Sequence, residues 1–431
     1  MSISADATRS HYRWNHVAFV IDYVFFGIAM SFARPNSVLP AFVSQFTRSA
    51  PVIGLVSTVL NGCWLLPQVA SAQWISGKPR KKPYLVAAMG GRVGFWIIAL
   101  ALWLGLAQRA NLMLLLFFVC FGLFATCDGL ASVAWFDLLA RSIPIKRRGG
   151  LMGIAQVISG LAGLGVGWVI TQVLTGTRFP FPENYALIFT FAAVAFIPSA
   201  IALISLREPR IDPVEHEPRR PRKNGWLTPF ARDPAFRRFV LCRVLVGLVA
   251  LVSPFYVIHA TDVLALSPAV VGSFVAAQQV GALVSGALLG LVSNRWGPLL
   301  TARISSALTI AAPAFALGAH LAQDSFLVQA YPLVYFVLGV YQSSSMLGFY
   351  NYLLEIAPDD LRPSYIGLAN TTLGILTLAP TLGGWLLEAT SYTVLFGLTV
   401  VLVSLGFVVA LNMRPSANQT REPMPVHERG P

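Results

Sequence analysis

Apolar residues in this chain fall in long, nearly unbroken runs, without the strict alternation of a strand or the one-sided stripe of a surface helix. Twelve runs reach the ~20 residues needed to cross a hydrocarbon layer as a helix. They lie at roughly 17–44, 51–75, 84–107, 111–139, 150–175, 184–206, 237–261, 267–293, 299–321, 327–354, 364–387 and 391–412. Most links between them are short. The exception, from Arg207 to Arg238, is polar, rich in Pro and Arg, and divides the chain almost in half. Backbone of that kind cannot face lipid, so it is expected in water. The first run is longer than a signal-peptide core and lacks a small-residue cleavage site, so it is expected to remain as a first helix.

Composition agrees. Of 431 residues, 56% are apolar and only 11% charged, with a mean hydropathy of +0.67. A water-soluble chain carries roughly a quarter of its residues as charges, so the solvent for this apolar surface is a lipid bilayer. The net charge of +13 would suggest nucleic acid in a soluble protein. Sorting the 31 basic residues over alternate links with the N-terminus inside places 25 on the inner side, among them Lys78, Arg80, Lys81, Lys82 and the arginines of the middle link. Only Arg48, Arg109 and Arg178 fall outside, and Arg34, Arg92 and Arg243 lie within spans. That bias is the positive-inside signature and predicts both termini in the cytoplasm of a cell-membrane protein. With no aromatic-and-basic module beside it, the charge reflects topology and attraction to anionic lipid, and no nucleic-acid partner is expected. Cys63, Cys120, Cys127 and Cys242 sit inside apolar runs without metal-ligand spacing and read as small core residues. No cofactor or metal is expected.

The two halves echo each other. After the fourth run comes Pro144, Arg148, Gly153; after the tenth, Pro358, Arg362, Gly367. Both follow P-x3-R-x4-G at an offset of 214 residues, with Leu139 matching Leu353 and Asp137 facing the similarly shaped Asn351. Parallel six-helix repeats are a transporter architecture. The expected fold is all-α and integral to the membrane, about twelve transmembrane helices in two six-helix pseudo-repeats. An N-terminal half at 1–206, a cytoplasmic linker at 207–238 and a C-terminal half with its tail at 239–431 make up the chain.

Between the eighth and ninth runs stands Gly290-Leu-Val-Ser-Asn294-Arg295-Trp-Gly297-Pro298. This resembles the signature loop of the major facilitator superfamily, Gly-x-x-x-Asp-Arg-x-Gly-Arg-Arg, with Asn294 where Asp is usual. The first-half counterpart keeps only the basic residues: Gln73 stands for the first Gly and Gly77 for the Asp. The resemblance covers about 15–412, in architecture more than in motif detail. The family's fourth-span Arg motif is absent around Phe118–Gly122. The fifth run has Gly160, Gly163, Gly165 and Gly167 but no Pro, which weakens a drug–proton antiporter reading. The resemblance implies a small-molecule solute carrier whose halves rock about a central cavity. It places spans one, four, seven and ten around that cavity and the Gly-rich spans five, eight (Gly281, Gly286, Gly290) and eleven (Gly383, Gly384) at the seam.

Charges inside spans are the sharpest candidates, since an ionisable group at mid-bilayer costs at least ~2.5 kcal/mol. Asp22 is expected to share a small, polar face with Ala29, Ala33 and Asn36. It and Asp128 of span four are the proton-coupling candidates; the alternatives are a structural ion pair of Asp22 with Arg92 and, for Asp128, a pair with Arg34 or a helix-packing hydrogen bond. Arg34 and Arg243 would bind an anionic substrate or neutralise the two acids. Gln278, Gln279, Tyr341, Gln342, Ser343 and Ser345 offer neutral hydrogen bonds either to a solute or between helices. His259 is expected at the membrane interface. Asp137, Arg141 and Arg148, with Asn294, Arg295, Glu355 and Arg362 in the second half, are gating candidates by analogy with the family, or ordinary membrane-surface charge.

These features predict a secondary active transporter of a small organic solute, proton-coupled and working as a monomer by alternating access. An uncoupled facilitator, and a sensor or assembly factor that keeps the fold without transport, are the alternatives. No nucleotide loop, metal spacing or supported Ser/His/Asp arrangement points to an enzyme.

Overall fold

A computed structural model describes residues 5–76, 78, 80–208, 230, 233–358 and 361–414. Among these the regular structure is helical throughout. The apolar runs become helices because in hydrocarbon each backbone N–H and C=O needs a partner within its own segment. Eleven helical segments are long and apolar enough to cross a membrane. The twelfth expected span, the tenth in order, is interrupted: Pro332–Ser344 runs into a π turn at Ser345–Tyr350 and then Asn351–Ile356. Its polar stretch from Tyr341 to Ser345 accounts for the weaker apolar signal.

Spans two, four, five, six, eight, nine and twelve are single helices: Ala50–Ser76, Ala110–Ser142, Ile145–Thr175, Glu183–Ser205, Val270–Trp296, Pro298–Ala322 and Tyr392–Leu411. The others are broken. Span one runs Ala5–Phe32, then restarts as Val38–Val43 after Arg34-Pro35-Asn36. Pro35 cannot donate to the helical ladder and disfavours a helical residue before it. Span seven passes from Pro234–Gly247 through a 3-10 turn at Leu248–Leu251 and a short helix to a π turn at His259–Val263. Span eleven joins Arg362–Gly374 to Ala379–Ala389 through a 3-10 turn at Ile375–Leu378. Broken helices at membrane depth are tolerated where they are buried in protein or line a wet cavity.

The two six-helix halves meet along two seams. Spans five and eight approach through glycines: a Cβ on Gly163 would overlap the Gln279 amide, one on Gly160 would overlap Leu283, and Gly167 and Gly272 pack backbone to backbone. Spans two and eleven do the same at Gly54 against Pro380 and at Gly384 against Ala50 and Pro51. Small residues are needed because close approach and dispersion replace the hydrophobic drive in lipid. Hydrogen bonds between the halves gather at one end of the molecule, away from the linker. Arg48 Nη1 donates to Asp262 Oδ2 (2.8 Å), the Ala50 N–H to Glu388 Oε1 (2.9 Å) and Tyr335 Oη to the Asn36 carbonyl (3.0 Å). Thr58 and Thr381 pair through their hydroxyls at 2.9 Å, and Thr171 reaches the Ala269 carbonyl. Toward the linker end, Gly149, Gly150, Gly153, Gly290 and Gly367 look onto open space.

Candidate functional site: a polar cavity between the halves

Just on the linker side of the Thr58–Thr381 contact lies a cavity of about 270 Å³. Asn36 of span one and Ser57 and Asn61 of span two, four residues apart on one helix face, line it from the first half. From the second half come Gly247 and Ser253 of span seven, Gln278 of span eight, Tyr341, Gln342 and Ser345 of span ten, and Pro380 of span eleven. Among the described residues the wall carries amides and hydroxyls and no Asp, Glu, Lys, Arg or His. Gln278 Nε2 donates to Gln342 Oε1 (3.2 Å), while Gln278 Oε1 is buried without a partner. A second hollow of about 430 Å³ opens at the far end, bordered by Arg48, Asp262, His320 and Glu388. It is bordered by the residues whose contacts close the halves, Arg48 with Asp262 and Ala50 with Glu388, so the smaller cavity between the halves is the candidate site.

Five sequence candidates thus come together: Asn36, Gln278, Tyr341, Gln342 and Ser345. Ser343, Gln279, Arg34 and Arg243 do not line the wall. Gln279 is buried in the seam against Gly163. Arg34 donates to Ser31 Oγ (3.2 Å), and its Nε is buried with no acceptor. Arg243 lies with its guanidinium 4.8 Å from the centre of the Phe349 ring, and its Nη1 has no acceptor.

The acids sit elsewhere. Asp22 is 4% exposed. Its Oδ1 accepts from Ser199 Oγ of span six and its Oδ2 from Trp135 Nε1 of span four (2.7 Å). Arg92 of span three donates to the same Ser199 (2.8 Å) and approaches Asp22 at 3.8 Å, stacked between the Phe26 and Phe196 rings. This is the Arg92 partner named from sequence. The shared face with Asn36 does not form: the break at Pro35 ends the helical register, so Asp22 points into the first half while Asn36 lines the cavity. Asp128 is half-buried, accepts from Trp64 Nε1 (3.1 Å), and feels the charge of Arg92 rather than pairing with Arg34. Ser199, Trp135 and Trp64 went unread in the sequence because a Ser or Trp in an apolar run carries no charge signal.

At the linker end, Asp137 pairs with Arg141 one turn on (2.6 Å). Arg148 donates to the Ala140 and Ile143 carbonyls, capping the end of span four. Lys81 is buried beneath them; burial lowers its pKa, with Asp137 and Glu208 opposing and Arg141 adding to the lowering. Asn294 and Arg295 are exposed, Arg295 over Trp296, and Gly297 makes the turn with φ 86°. Glu355 is half-buried at the end of span ten, and the Arg362 side chain lies outside the described residues, as does most of the 207–238 linker. Arg303 donates to the Ala410, Leu411 and Met413 carbonyls and closes the end of span twelve. His259, near the outer end of span seven, is fully buried between Tyr331 Oη (2.9 Å) and His320 Nδ1 (3.1 Å).

A multi-span helical membrane protein with two six-helix halves around a polar cavity is the architecture of a solute carrier. The model of the Major Facilitator Superfamily matches residues 17–376 and 240–428, and the chain belongs to that family. No curated protein gives a significant match. Solved structures similar to it include the D-xylose–proton symporter (TM-score 0.68, 15% identity, 93% of this chain and 98% of that one). A bacterial homologue of the iron transporter ferroportin superposes in its inward-facing state at 0.65 (15% identity, 93% and 98% covered). In its outward-facing state the score is 0.59 (16% identity, 94% and 99% covered). The protein is therefore a multi-pass membrane transporter.

Proposed function

We propose that this chain is a secondary active transporter that moves a small organic solute, coupled to protons, by alternating access between halves at 1–206 and 239–431. The observation that carries the reading is the polar cavity between the halves, shut on one side by inter-half contacts and loosely packed on the other. The positive-inside bias puts the linker and both termini in the cytoplasm of the cell membrane. On that orientation the state is inward-facing, which the better superposition on the inward-facing ferroportin homologue supports. The chain acts as a monomer and not as an enzyme. Asp137, Arg141, Arg148, Asn294, Arg295, Glu355 and Arg362 make and break contacts at the cytoplasmic mouth as it closes.

Coupling is assigned to Asp22 and Asp128. Both interact with a single guanidinium, Arg92, so the group carries one surplus negative charge that a proton cancels. Changing the charge of a buried network changes what it costs to leave it dry, which links protonation to rocking. The rival is an uncoupled facilitator, favoured by the donors Asp22 already has in Ser199 and Trp135. The test is uptake by proteoliposomes with and without an inwardly acidifying pH gradient. Accumulation that collapses with a protonophore supports coupling. Equilibration without accumulation selects the facilitator. No flux of any solute from folded protein selects the non-transporting sensor or assembly factor.

A further inference from the structure

Charge inside the spans does not balance. At mid-span depth three guanidinium groups (Arg34, Arg92 and Arg243) stand with two carboxylates: Asp22 lies 3.8 Å from Arg92, and Asp128 accepts a hydrogen bond from Trp64. Among the described residues neither Arg34 nor Arg243 has an acid within ion-pair distance. A cation left in a low-dielectric interior without a counter-charge is costly and marks a functional position.

Of the two, Arg243 lies beside the cavity without lining it. It lies one helical turn before Gly247, which lines the wall, on the side toward the cytoplasmic mouth. Phe349, under its guanidinium, comes four residues after the lining residue Ser345. Stacking on Phe349 uses the flat face of the guanidinium and leaves its N–H edge for a ligand. Among the described residues no hydrogen bond from that edge is made, and Nη1 is shielded from solvent without an acceptor. In the wall itself, Gln278 Oε1 is a buried acceptor without a donor. Buried polar atoms are nearly always satisfied, so two orphans of opposite kind around one cavity call for a ligand that meets both.

We propose that the substrate is a small organic anion, whose carboxylate or phosphate oxygens take the N–H edge of Arg243 and whose hydroxyl or amide N–H groups face Gln278, Asn61 and Gln342. The proposal rests on the transport reading for its consequence, though binding alone tests it. A planar two-donor edge suits an oxyanion, and charge-assisted bonds of this type are the strong ones. The cavity's 270 Å³ limits the body to a small one.

The experiment is thermal stabilisation of the detergent-purified full chain by solutes that share a body and differ in charge. They are glucose, gluconate, glucose 6-phosphate and glucosamine, with lactamide and lactate as the smaller pair. Stabilisation by the anions alone is expected, and which anion acts separates carboxylate from phosphate. Arg243→Gln should weaken that binding roughly tenfold to a hundredfold, and Arg243→Lys should restore part of it. Stabilisation by glucose, lactamide or glucosamine as strong as by the anions, no stabilisation by any of the six, or anion binding unchanged in Arg243→Gln overturns the proposal. If Arg243→Gln does not fold, charge selectivity of the parent protein decides. Uptake of the bound anion is then measured in proteoliposomes. Binding through Arg243 without flux would overturn transport and leave the anion site standing.

Discussion

Asp22 shows how one buried side chain can be over-determined. Two neutral donors and a guanidinium meet its oxygens, and each partner comes from a different span. Replacing it with Asn keeps the shape and removes the charge. Asp22→Asn is expected to abolish gradient-driven accumulation while keeping downhill exchange. A folded variant that still accumulates solute with unchanged pH dependence would remove Asp22 from the mechanism. Arg92→Leu strands a carboxylate and should cost about 3–5 kcal/mol, seen as a large fall in Tm. Most of that should return in the Asp22→Asn/Arg92→Leu double variant. Expense is legible in a sequence, which is why Asp22, Asp128 and the intramembrane arginines stood out. Direction is not. Whether Asp22 faces the cavity or its own half depends on where the helix stops, and Pro35 stops it one turn short of Asn36.

At the scale of elements, the glycines of spans five and eight sort into three kinds. Gly160, Gly163, Gly167 and Gly272 sit where a Cβ would strike the other half, a Cβ on Gly281 would strike Phe336 of its own half, and Gly165 and Gly290 face open space. The run of small residues was readable from sequence as a seam, but not which members touch, since that depends on helix rotation. Gly272→Val should push the Gly167 backbone away and hold the outer side apart. A cysteine introduced at Asn36 in that background should react with an impermeant thiol reagent added from outside, faster than in the parent. Equal reactivity would mean the seam yields without opening. The π turns at Ser345–Tyr350 and His259–Val263 were not legible, because π and α segments share one apolar pattern.

Across the whole molecule, the closed end rests on contacts that are individually weak. Arg48 and Asp262 pair at 2.8 Å, but their side chains are 88% and 38% exposed, a setting in which an ion pair is worth about 0–1 kcal/mol. Weak contacts suit a surface that must separate in every cycle. Joining them covalently should therefore arrest the carrier. In a background with the four native cysteines replaced, Arg48→Cys with Asp262→Cys should crosslink under oxidation, stop transport, and recover on reduction. Transport that continues through the crosslink would show that this end does not open. The span count was readable from run lengths, and the two-half plan from the polar middle link and the repeat at an offset of 214 residues. The state of the cycle was not, because one sequence encodes both states.

The ends of the linker are bolted to the body of the protein on both sides. Asn15 exchanges two hydrogen bonds with the Arg207 backbone, and Glu208 accepts from the N–H groups of Lys81 and Lys82 at the start of span three. At the other end, Asp233 caps span seven through the Ala235 N–H and accepts from Tyr365 Oη. Each half thus anchors its own end of the linker with its own residues, so chain continuity between the two anchors is not expected to be what holds the halves in register. Two separately translated pieces, parted anywhere within 209–229 and each carrying its own anchor, should find each other in the bilayer and co-purify as a working carrier.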